Sequence, residues 1–182
     1  MPLYSSGRPS SSSATLFTST ATKTVAETTT ETTIIDTGTG SLTLPTNYLT
    51  AGKSLKFAVR GLYSTPTLSV GNIVVKIKLG GVTLATATVN SLVATATNLG
   101  FDGECLITCR STGVSGTVIM MGGIMIGVGN NLAPLLVAIN NGASTSTVDT
   151  TGTLAFDVTV TWSNNTAGNT VSSLNCSLES LN

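Results

Sequence analysis

From Asn72 to Leu79 the chain alternates: Ile73, Val75, Ile77 and Leu79 are apolar, and Lys76 and Lys78 fall between them. A period of two is the pattern of a strand with one face buried and the other wet. It recurs along the sequence. Leu55, Phe57 and Val59 alternate with Lys56, Ala58 and Arg60, and Phe101, Cys105, Ile107 and Cys109 with Asp102, Glu104, Thr108 and Arg110. Leu154, Phe156, Val158, Val160 and Trp162 alternate with Asp157, Thr159 and Thr161. The last such segment is expected to turn Leu174, Cys176 and Leu178 inward. No segment sustains a 3.6-residue period, so little or no helix is expected. Repeated one-face burial points to antiparallel sheets.

Turn signals cut the chain at short intervals: Gly38–Gly40, Pro45–Asn47, Ala51-Gly52, Gly80-Gly81, Gly113–Gly116, Gly129–Asn131, Asn140–Gly142, Ser163–Asn165 and Gly168-Asn169. Between them Thr, Val and Ile abound, and branched side chains favour strands. The Thr-rich run from Thr18 to Thr33 reads as one or two edge strands whose hydroxyls can bond across to neighbours. About nine or ten strands result, which suits an all-β, antiparallel jelly-roll β-sandwich. The Ser-, Pro- and Gly-rich start cannot bury a core. Residues 1–17 therefore read as a flexible or extended N-terminal arm and residues 18–182 as the jelly-roll domain.

Two segments break the alternation by being apolar on both faces. They run from Val118 to Ile126 and from Leu132 to Ile139. A strand apolar on both faces is covered on both sides. In a two-layer sandwich the second cover is expected from another subunit, with a long loop of the same chain as the alternative. The candidate interface residues are Val118, Ile119, Met120, Met121, Ile124, Met125, Ile126, Leu135 and Leu136. The Gly122-Gly123 pair among them suggests close backbone approach or a bulge.

Composition narrows the function. Charged residues are only 9% of the chain, eight acids against eight bases. Such a surface repels its own copies weakly and suits packing against them. It gives no basic footprint for nucleic acid. No apolar run reaches the ~18 residues of a membrane-spanning helix. Histidine is absent, which removes the commonest general base and metal ligand together. Cys105 and Cys109 are ~13 Å apart on one extended strand, too far for a disulfide. Cys176 could pair with one of them and leave the other over; the simpler reading is three buried free thiols, as expected for folding in a reducing cytoplasm. The opening Met1–Pro9 lacks the charged-then-apolar pattern of a secretory signal.

Chemistry has few footholds. Asp102 and Glu104 lie ~6–7 Å apart on one strand face, a spacing that would serve glycoside cleavage. A solvated face near Arg110 explains them more simply. No nucleophile elbow, phosphate-binding loop, zinc cluster or calcium loop occurs, so no catalytic, metal or cofactor site is expected.

Several stretches resemble tailed-bacteriophage virion proteins. They are Thr20–Thr33, Gly38–Pro45, Leu49–Leu55, Thr65–Leu68, Lys76–Gly80 and Phe156–Trp162. The resemblance covers most of residues 18–181 and implies a jelly roll, usually a homotrimer, in a structural role. The function it implies is a capsid cement or decoration protein on the virion exterior, bound to other copies and to the major capsid protein. A host-binding head fibre or tail-tip protein is the alternative, using the loops at Asn130-Asn131, Asn140–Gly142 and Asn164-Asn165. A polysaccharide depolymerase resting on Asp102 and Glu104 is a distant third.

Overall fold

The computed structural model describes residues 13–90, 92–129, 133–140, 142 and 144–182. Among them the chain forms strands and no helix. In order these are β1 (Ala14–Ser19), β2 (Lys23–Ala26), β3 (Thr32–Thr33), β4 (Gly38–Gly40), β5 (Thr43–Leu44), β6 (Ser54–Ser64) and β7 (Ile73–Leu79). They continue as β8 (Val82–Val89), β9 (Leu99–Ser111), β10 (Thr117–Ile126), β11 (Leu135–Asn140), β12 (Ser146–Thr147), β13 (Leu154–Trp162) and β14 (Thr170–Ser180).

The pairing is nested. β7 pairs with β8 across the tight turn at Gly80-Gly81, where φ is +59° and +80°. Positive φ at both central residues is what a two-residue hairpin turn demands, and glycine supplies it without strain. Outside that hairpin β6 pairs with β9, β3 with β13 and β1 with β14, all antiparallel. The chain is thus one long antiparallel ribbon folded over on itself. Alternate pairs go to opposite sheets, giving β1-β14-β6-β9 in one and β3-β13-β7-β8 in the other. This is a jelly roll. β10 and β11 are inserted between β9 and β13 and widen the first sheet beyond β9.

The alternating segments face as the sequence predicts. Leu55, Phe57, Ile77, Leu79, Cys105, Ile107, Phe156, Val158 and Trp162 are buried between the sheets. The Phe57 and Phe156 rings meet across the sheet interface, 4.9 Å between centroids. Such burial supplies the main stabilisation, at ~25 cal/mol per Å² of apolar surface.

Three expectations need correction. Residues 1–12 of the arm lie outside the described residues, but Ala14–Ser19 is a strand of the first sheet with Phe17 in the core. The jelly roll therefore takes in part of the span first given to the arm. Gly38–Gly40 is the edge strand β4 on β1, not a turn. Leu174 points outward, half-exposed, because the β14–β6 register shifts between Ser173 and Asn175. The extra residue of this bulge puts Ser173 in the buried place that strict alternation would have given to Leu174.

Candidate functional site

The β10–β11 insertion carries every candidate interface residue, and the structure divides them by face. Val118, Met120, Ile124 and Ile126 point into the sandwich and belong to its own core; Met120 is fully buried. These four are corrected from interface to core: period two sends alternate residues of one strand to opposite faces. Leu135 is half-buried on the inward parity of β11, beside Val137 and Ile139. The other four stand on the outer face. Ile119 is half-buried, while Met121 is 59%, Met125 50% and Leu136 66% exposed.

Register brings these outward residues together. Met125 lies directly opposite Leu136, and Met121 opposite Leu106 of β9. Leu106, 43% exposed, was not singled out by sequence reasoning. Its signal was parity, since it shares the outward face with Asp102, Glu104 and Thr108. Between the two apolar pairs lies a row of small residues, Gly123 opposite Ala138. A Cβ on Gly123 would come within 3.0 Å of Leu136 Cδ1, so Leu136 leans over the glycine. The neighbouring Gly122 needs its bare backbone for another reason. A Cβ there would lie 2.2 Å from the Glu104 carbonyl oxygen, so close approach, not a bulge, explains the pair. Met121, Leu106, Met125 and Leu136 thus flank a shallow trough over Gly123 and Ala138, bordered on β9 by Asp102 and Glu104.

The charges beside the trough are already matched. Lys56 Nζ is 2.9 Å from Glu104 Oε2, and Arg60 Nε 2.9 Å from Asp102 Oδ2. The two carboxylates whose spacing would serve glycoside cleavage are therefore each held by a cation on β6. A binding partner need supply no counter-charge to them.

The outer face of the other sheet differs. There Glu31, just before β3, reaches across β13. Its carboxylate takes Lys76 Nζ and Lys78 Nζ at 2.6 Å each and accepts a hydrogen bond from Thr159 Oγ1 at 3.0 Å. Bonds from Lys76 first, then Lys78 and Thr159, hold the Glu31 carboxyl down at about 2. Thr159 is outward-facing yet only 5% exposed. Thr33 Oγ1 adds a hydrogen bond to Asp157 Oδ1 at 2.6 Å.

Other candidate chemistry is absorbed by the fold. Cys105, Cys109 and Cys176 are free and buried. Burial raises all three thiols, Cys105 to about 12, which makes them poor nucleophiles. Asn164 staples its own loop end: its Nδ2 donates to the Ser69 carbonyl, and its Oδ1 accepts from Asn169 Nδ2 at 2.7 Å. Asn140 Oδ1 accepts from the Gly142 backbone, closing a local turn. Asn130, Asn131 and Asn141 lie outside the described residues. Asn140 ends β11 and Asn164 follows β13. β10 begins beside β12 and ends beside Phe101, so Asn140, opposite Met121, lies towards the start of β10. The Asn164 loop instead joins the end where Thr170 meets Ser64, so the two loops do not form one recognition surface. An apolar cavity of about 40 Å³ lies between the sheets, lined by Val59, Tyr63, Val75 and Ile124 among others.

No protein-family model, curated protein or solved structure matches the chain.

Proposed function

We propose that this protein is a non-enzymatic structural component of a virus particle, a capsid cement or decoration protein of the tailed-bacteriophage kind. It assembles with copies of itself and with the capsid shell on the virion exterior. The observation that carries this reading is the trough of Leu106, Met121, Met125 and Leu136, exposed beside the carboxylates of Asp102 and Glu104, which already hold their cations. Contiguous exposed apolar surface marks an interaction site. Zero net charge removes long-range repulsion between copies. A homotrimer follows from the resemblance noted in the sequence. The mechanism is mass action: a protein that binds only the assembled lattice stabilises that lattice.

The paired state of Asp102 and Glu104 weighs against the depolymerase reading, and the internal use of the Asn164 side chain weighs against a host-binding loop set. Electron cryomicroscopy of intact particles tests the proposal. Density for this fold distributed over the whole shell is expected, with the β9–β11 face in contact with protein. Density confined to a single vertex or the tail would overturn it in favour of a fibre or tip.

A further inference from the structure

We propose that β11 is a pairing edge, and that it takes the β11 of a second copy across a two-fold axis to make one continuous sheet. The proposal rests on the assembly reading above and names the strand and register that join one copy to the next. A two-fold contact joins single copies or whole trimers to one another.

The edges of the two sheets are not alike. β4 has three residues, two of them glycine, and β3, β5 and β12 have two each. β2 has four and carries Lys23. β8 is longer, but the extra residue Leu84 bulges it, and β11 lies beside it. β11 runs for six residues, Leu135–Asn140, and pairs with β10 without a register shift. Among the described residues no strand pairs with its other side. Natural edges are blunted by shortness, charge, proline or bulges. β11 has no charge, proline or bulge within it. Solvent reaches it as well. Leu135 and Val137 have inward parity yet are only half-buried, whereas Val118 and Met120, one strand further in, are fully buried.

Charge selects a second copy as the occupant. A strand paired with itself about a two-fold axis sets each charge near its own kind, and like charges across a ladder destabilise it. No Asp, Glu, Lys or Arg occurs from Ser111 to Val148; the eight acids and eight bases all lie outside that stretch. The insertion can therefore face its own image without repulsion.

Residue size then selects the register. In a two-fold antiparallel pair, residues of like parity face each other, because ladder bonds alternate sides along a strand. Centring on Leu136 sets Ala138 against the partner's Pro134, which has no N–H to give. Centring on Ala138 sets Leu136 against the amide of the partner's Asn140. Centring on Val137 sets Leu136 against the partner's Ala138 and Leu135 against the partner's Ile139. Those pairs are apolar throughout, and on the outer face large meets small. The row Gly123–Ala138 then runs on into the partner's Leu136 and Met125, so the trough of each copy ends on the apolar pair of the other. A contact over Leu135–Ile139 is far smaller than the ~800 Å² per partner of a stable interface. Isolated copies therefore pair weakly, and the contact gains strength where many copies are held on one lattice.

The test uses the full chain. The two-fold axis places Val137→Cys opposite itself, with Cα atoms about 4.5–5.5 Å apart, within disulfide range. The native thiols are buried. Val114→Cys, 73% exposed between β9 and β10, reports random collision. On mild oxidation Val137→Cys should form covalent dimers roughly tenfold faster than Val114→Cys, or more. A mixture of Leu136→Cys and Ala138→Cys copies should give mixed dimers. Failure of both to exceed collision would overturn the proposal, and is the result expected if another part of the same chain takes the edge. If Met121→Glu abolishes self-association and neither cross-link forms, the trough remains an assembly surface and only the edge pairing fails. If the cross-links form and Met121→Glu sediments like the wild type, the edge pairing holds and the trough reading fails.

Discussion

The outer faces of the two sheets are both made of alternating strands, yet only one is closed by its own chain. On the β3-β13-β7-β8 sheet the outward residues include Lys76, Lys78, Asp157 and Thr159; Glu31 binds both lysines and Thr159, and Thr33 binds Asp157. On the other sheet charge pairing stops at β9, and the β10–β11 insertion adds methionine and leucine that nothing in the described chain covers. A polar outer face can be completed by a single side chain because ion pairs and hydrogen bonds are local and directional. An apolar one needs area. On the proposed reading the insertion is an extension made for a partner, and the eight nested strands are the frame that carries it.

The sharpest way to break this contrast is to compare two adjacent methionines. Met120→Ala removes a fully buried side chain and should cost about 2–5 kcal/mol in denaturant unfolding. Met121→Ala, one residue on and facing out, should change unfolding of the dissociated chain by less than ~0.5 kcal/mol. Equal losses at both would show that the outer face is packed within one chain.

Next in size are charges placed in the trough. Leu136→Glu or Met125→Glu should abolish self-association in light scattering and leave the isolated domain folded by circular dichroism. On the closed sheet, Glu31→Gln leaves Lys76 and Lys78 without their shared carboxylate, and should lower the melting temperature at neutral pH by roughly 2 °C. Because the folded Glu31 carboxyl sits near 2 against an ordinary 4.5, its contribution is complete above about 4.5. It falls away as pH drops through 2. The melting curves of the wild type and Glu31→Gln should therefore converge on acidification over that window. A difference that persisted below pH 2 would assign the effect to packing.

The smallest effect is expected at the exposed pair beside the trough. Lys56→Ala should leave the melting temperature within about 1 °C, since solvent screens such pairs.

Much of this was legible in the sequence, because burial in a sandwich follows parity. The inward faces of β6, β7, β9 and β13 could be read residue by residue, and the doubly apolar character of β10 was visible as the interruption it is. What parity could not give was anything set by register between distant strands. Leu106 joins the trough only because β9 and β10 align it with Met121. Glu31 closes the second sheet only because the nested topology brings it beside β7, 45 and 47 residues away in sequence. Leu174 was misread because a bulge in β14 shifts the parity of one strand against its neighbour, and no residue type there announces it.

The most direct test is sedimentation velocity on the wild type and Met121→Glu over a range of micromolar concentrations. The account predicts a concentration-dependent oligomer for the wild type, and a monomer of unchanged melting temperature for the variant. A wild type that stays monomeric throughout, or a variant that sediments identically with it, would contradict the claim that the uncovered face is an assembly surface.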